Sequence, residues 1–129
     1  MEILEKYKGQ YLEFEETTQV KTGVICHVYS FPDDDSKDFG VIEVKKGFKT
    51  PLQKVLGGTK TVEIFASGKG ILTITSPRGT IMEYHYPNNP DTNIEIAIGE
   101  TMQWEALEEL EFYEICYPPY EEGRFQNLD

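Results

Sequence analysis

The 129 residues suffice to bury one hydrophobic core and are too few for two ordinary domains, so one domain over 1–129 is expected. Acidic side chains outnumber basic ones 23 to 12, a formal net charge of −11. Such a surface repels phosphate backbones and anionic headgroups, so neither nucleic acid nor a membrane is an expected partner.

The first residues place Glu2 and Glu5 where a leader peptide would carry basic residues. No apolar run approaches the roughly 18 residues of a membrane span, and a cytoplasmic location is expected. Ile3, Leu4 and Tyr7 fit either a short helical segment or a loose edge strand, and 1–22 reads as an N-terminal extension or edge strand. Strand-like runs follow at 11–15, 23–31, 40–45, 50–55, 61–66, 70–75, 80–86, 93–98, 101–106 and 110–116. Turn chemistry separates many of them: Pro32 with Asp33–35, Gly57-Gly58, Ser67-Gly68-Lys69-Gly70, Ser76-Pro77-Arg78-Gly79 and Pro87-Asn88-Asn89-Pro90-Asp91. With no helical period, repeat or heptad, the pattern predicts an all-β barrel or sandwich.

Alternation assigns the faces. Ile94, Ile96 and Ile98 share one side of their run; Val62, Ile64 and Ala66 oppose Thr61, Glu63 and Phe65. A strand apolar on one side and carboxylate-bearing on the other is expected to be covered on both, by a pocket within and a second copy outside, so a homodimer is expected. Half of the 12 basic residues, Lys45, Lys46, Lys49, Lys54, Lys60 and Lys69, fall in one stretch that reads as a solvated face, with a rim that attracts an anionic small molecule as the sharper alternative. Cys26 and Cys116 lie in apolar runs and read as reduced core thiols; His27 follows Cys26, but neighbours on a strand face opposite sides.

The segment Gly47-Phe-Lys-Thr-Pro-Leu-Gln-Lys-Val followed by Thr61-Val-Glu-Ile-Phe-Ala-Ser-Gly68-Lys-Gly-Ile resembles the first motif of the cupins. Ile98-Gly99-Glu-Thr-Met-Gln-Trp-Glu-Ala106 and Phe112-Tyr-Glu-Ile-Cys-Tyr-Pro-Pro-Tyr120 resemble the second motif and the exit of small cupins. The resemblance spans 40–120 and implies a cupin-like jelly roll, a double-stranded β-helix barrel with its core in that range. It also implies positions for the family's metal ligands, two histidines and a glutamate from the first motif and a histidine from the second. Those positions fall on Gln53, Val55, Thr61 and Met102. Transition metals take imidazole or carboxylate donors at ~2.0–2.2 Å, which this set does not supply, so neither a metal nor any other cofactor is expected. His27 and His85 with Glu43, Glu63 or Glu83 are the minimum for a rebuilt site, but most β proteins of this size offer such a trio. His27 reads as a hydrogen-bonded core residue and His85 as partly exposed.

Cupin parity turns Gln53, Val55, Thr61, Glu63, Phe65, Met102, Trp104, Phe112 and Glu114 inward. Among these, Gln53, Thr61, Glu63, Phe65, Met102, Trp104 and Glu114 are the candidate ligand-binding residues, with Trp104 available to stack on a ring. Glu63, Glu114 and His85 are the catalytic candidates. A carboxylate inside an apolar barrel must be paired, bonded or protonated, and an ion pair with Lys54, Arg78 or Arg124 is the expected arrangement. The leading reading is a binder of a small carbohydrate-like or aromatic molecule, working without a metal. Against it stand a metal-independent isomerase, epimerase or lyase, and a structural or regulatory dimer with a filled barrel. With Arg78 and Arg124 its only arginines, the chain is poorly equipped to grip a nucleotide-sugar diphosphate.

Overall fold

Residues 3–129 are described by the computed structural model, and they contain strands and no helix. The strands are β1 (Lys6–Tyr7), β2 (Gln10–Tyr11), β3 (Glu13–Lys21), β4 (Val24–Ser30), β5 (Asp38–Val44), β6 (Gln53–Val55), β7 (Lys60–Thr75), β8 (Ile81–Tyr86), β9 (Asn93–Ile96), β10 (Thr101–Tyr117) and β11 (Phe125–Asn127). Outside the β1-β2 hairpin they form one antiparallel sheet in the order β11-β6-β10-β5-β4-β3, with β7 on β10 and both β8 and β9 on β7.

β10 organises the barrel. It pairs with β7 along nearly its whole length, with β6 at residues 101–102 and with β5 at residues 110–114. A 17-residue strand can serve three partners only by bending. The bend lies where Ala106 opposes Gly70 and Leu110 opposes Gly68, so that residues 107–109 bulge against Lys69 alone. Gly68 sits at φ +95°, and a Cβ there would run into the Glu109 carbonyl. One on Gly70 would lie 2.7 Å from the Glu105 oxygen. The segment Ser67-Gly68-Lys69-Gly70, expected as a turn, is therefore a corner within one strand: the runs 61–66 and 70–75 are continuous, as are 101–106 and 110–116.

Alternation fills both sides of the sheet. Leu72, Ile74, Ile94, Ile96, Met102, Trp104, Leu110 and Phe112 belong to the inner cluster. Tyr29, Phe39, Val41, Ile64 and Ile115 form an outer one with Leu4, Tyr7 and Leu12. Tyr7 packs 4.6 Å from the Phe39 ring, and the Leu4 amide donates to Tyr29 Oη at 3.2 Å. The N-terminal segment thus packs on the outer cluster that includes Val62 and Ile64.

Candidate functional site

A cavity of about 690 Å³ opens beside the inner cluster. β4 turns Val24, Cys26 and Val28 towards it, β5 Asp38, Gly40 and Ile42, and β10 Met102, Trp104, Phe112, Glu114 and Cys116. Apart from Phe39, which also lines the cavity on β5, and the bulge between Trp104 and Phe112, each set repeats every second residue, as strand pleating requires. The exposed residues Glu16, Thr18, Gln19 and Val20 of β3 form part of the rim, with Tyr120 and Asn127 from the C-terminal segment.

Of the ligand-binding candidates, Gln53, Glu63, Met102, Trp104 and Glu114 line the cavity. Gln53 and Met102 face each other across β6 and β10, and Glu63 and Glu114 across β7 and β10. Thr61 and Phe65 share the inward parity of Glu63 but lie away from the cavity. Arg124 Nη2 donates to Thr61 Oγ1 at 3.0 Å, and Phe65 stacks on Tyr86 at 4.7 Å, beyond the displaced register near Ala66. Trp104 is only 1% exposed. Its ring stacks on Phe112 at 4.4 Å and tilts against Tyr86 at 5.7 Å, so the surface expected to receive a ligand's ring largely serves the core.

Glu63 is 1% exposed, and its Oε1 accepts the Trp104 indole N–H at 3.0 Å. Its Oε2 has no donor among the described residues. Burial, and after it the charge of Glu114, push the Glu63 carboxyl well above the usual carboxylate range. Glu114, half-buried at the cavity wall, is also raised, chiefly by burial. The two carboxyls face each other across β7 and β10, and a proton kept by Glu63 relieves their repulsion. No ion pair from Lys54, Arg78 or Arg124 meets them among the described residues, contrary to expectation. Arg124, 5% exposed, donates instead to the carbonyls of Lys60, Tyr117 and Pro118 and anchors the C-terminal segment.

Three cavity groups were not among the candidates. Asp38 accepts from the amides of Cys116 at 3.0 Å and Tyr120 at 2.9 Å, and burial still raises its carboxyl. Burial raises the Cys26 thiol to about 12 and pushes the Cys116 thiol up as well. Both stay protonated at neutral pH, which disfavours nucleophilic roles. Parity carried on from Phe112 and Glu114 points to Cys116, and parity back from Ile42 points to Asp38.

The positions implied for metal ligands do not fit a metal. Val55 and Met102 are buried in the inner cluster, Gln53 Nε2 donates to Asn127 Oδ1 at 3.0 Å, and the Thr61 hydroxyl holds Arg124. The histidines do not rebuild a site. His27 lies on the outer face, its Nδ1 2.9 Å from Thr17 Oγ1 and its Nε2 3.3 Å from Glu43 Oε2, a contact without hydrogen-bond geometry. His85 is exposed on β8, 3.1 Å from Glu83, and does not line the cavity where catalysis was expected of it. Among the described residues no three His, Cys, Asp or Glu side chains are grouped to hold a metal ion.

No family model matches this sequence, and no curated protein matches it. Solved structures do match in three dimensions. An oxalate decarboxylase superposes with TM-score 0.71 at 18% identity over 88% of this chain and 30% of its own. CapF, solved with the inhibitor 3-isopropenyl-tropolone, gives 0.65 at 18% identity over 92% and 34%, and the 7S globulin of Momordica charantia 0.64 at 16% over 88% and 34%. This chain spans about a third of the length of each. It has the cupin fold, an all-β barrel.

Proposed function

We propose that the barrel binds a small organic molecule, carbohydrate-like or aromatic, without the help of a metal. The cavity carries this reading. At about 690 Å³ it falls within the ~300–1,000 Å³ of small-ligand sites, whereas a barrel packed solid for a structural role would leave no such space. Its wall combines apolar Val24, Ile42, Met102 and Phe112 with a few polar groups, Glu63, Glu114, Gln53 and Thr50, able to fix a ligand's hydroxyls. A second reading, acid–base catalysis of an isomerase or lyase type, is favoured by Glu63, because burial raises its carboxyl well above the usual range and such a group can both give and take a proton.

Trp104, the one tryptophan of the chain, reports from the cavity wall. Phenol, catechol and methyl glucoside titrated against the protein are expected to change its fluorescence saturably for at least one probe. Gly40 lines the cavity on β5, and a Cβ there meets only ordinary contacts, with Cys26 Sγ and Ile42 Cδ1 both at 3.5 Å. Gly40→Leu should therefore keep a cooperative melt while blocking the probe. Saturable binding that survives this substitution would place the ligand elsewhere and overturn the reading.

A further inference from the structure

The titratable side chains of the cavity are one-sided. Glu16, Asp38, Glu63 and Glu114 line it, and among the described residues no Lys, Arg or His does. Arg124, whose charge reaches Asp38 and Glu114, is committed to three backbone carbonyls and the Thr61 hydroxyl and cannot turn to a ligand without leaving them unsatisfied. A carboxylate or phosphate ligand would enter with no counter-charge, at a cost that excludes it.

The opposite charge finds a prepared site. Glu63, whose Oε2 is buried and without a donor among the described residues, lines the cavity opposite Glu114, together with Met102, Trp104 and Phe112. An ammonium group has three donors and no acceptor. Placed here, it would donate to Glu114 and Glu63, the proton held by Glu63 leaving to solvent, while its hydrocarbon part lay along Ile42, Met102 and Phe112. The exposed Glu16 and the overall charge of −11 draw cations towards the rim.

Resting on the reading of the barrel as a small-molecule site, we infer that its ligand is an organic amine, bound as the cation with its ammonium group between Glu63 and Glu114. Benzylamine, benzyl alcohol and benzoate share a shape and differ in charge. Followed by calorimetry at pH 7.5 in EDTA, benzylamine is expected to bind at least tenfold more tightly than benzyl alcohol, and benzoate not measurably. Glu114→Gln keeps the shape of the wall, and should weaken benzylamine about tenfold more than it weakens benzyl alcohol. Equal affinity for amine and alcohol, tighter binding of benzoate, or an unchanged benzylamine affinity in Glu114→Gln would overturn the amine assignment and leave the binding cavity standing. If none of the three probes binds and Gly40→Leu alters no other probe, the cavity reading falls and the amine with it.

Discussion

Glu63 sets the chemistry of the cavity and bears a cost in stability. Its folded carboxyl holds a proton at pH values where the unfolded chain, titrating near 4.5, has lost it. The folded state therefore binds more protons, and this group's contribution to stability falls as pH rises above about 4.5 towards its raised folded value. Glu63→Gln keeps an acceptor for the Trp104 indole, supplies an amide donor to Glu114 and removes the titration. The variant is expected to be more stable than the parent at pH 8, with the gap shrinking towards pH 5. Urea melts at the two pH values measure it; a gap that did not grow with pH would show that Glu63 is ionised in the folded protein.

At the scale of the element, β7 and β10 depend on glycine for contact as much as for dihedral freedom. Gly68→Ala drives a methyl group into the Glu109 backbone at φ +95° and is expected to cost on the order of 3 kcal/mol or more. Gly57→Ala, with nothing within 4 Å and no positive φ, should stay within about 1 kcal/mol of the parent. Thermal denaturation of the pair separates the corner from generic glycine effects, and equal shifts would contradict it. Gly68 also marks where the sequence was hardest to read. Ser-Gly-Lys-Gly has the local preferences of a turn, and only the bulge 107–109, contributed by a strand some 40 residues away, makes it strand. The alternation of Met102 with Trp104 and of Phe112 with Glu114 is local, so their faces could be read correctly.

For the molecule as a whole, the all-β barrel was legible because alternation and turn spacing repeat along the chain, and Gln53, Glu63, Met102, Trp104 and Glu114 were legible because parity fixes facing. Parity does not say how far along the barrel the cavity extends. Thr61 and Phe65 face inward yet meet Arg124 and Tyr86, and no local pattern in the C-terminal segment foretells that Arg124 would reach Thr61. β10 has a further consequence, for the time course of folding. It joins β7 to β5 and β6, so the two halves of the sheet have no shared ladder until residues 101–117 are available. Loop-closure entropy must be met before those distant pairings form, which puts refolding in the slow range, roughly milliseconds to seconds. A fragment ending at residue 100 should give no cooperative melt by circular dichroism, whereas a sharp transition in it would mean that either half folds alone. During synthesis the barrel would then close late, with the exposed faces of β4, β5 and β7 waiting on a strand still to emerge.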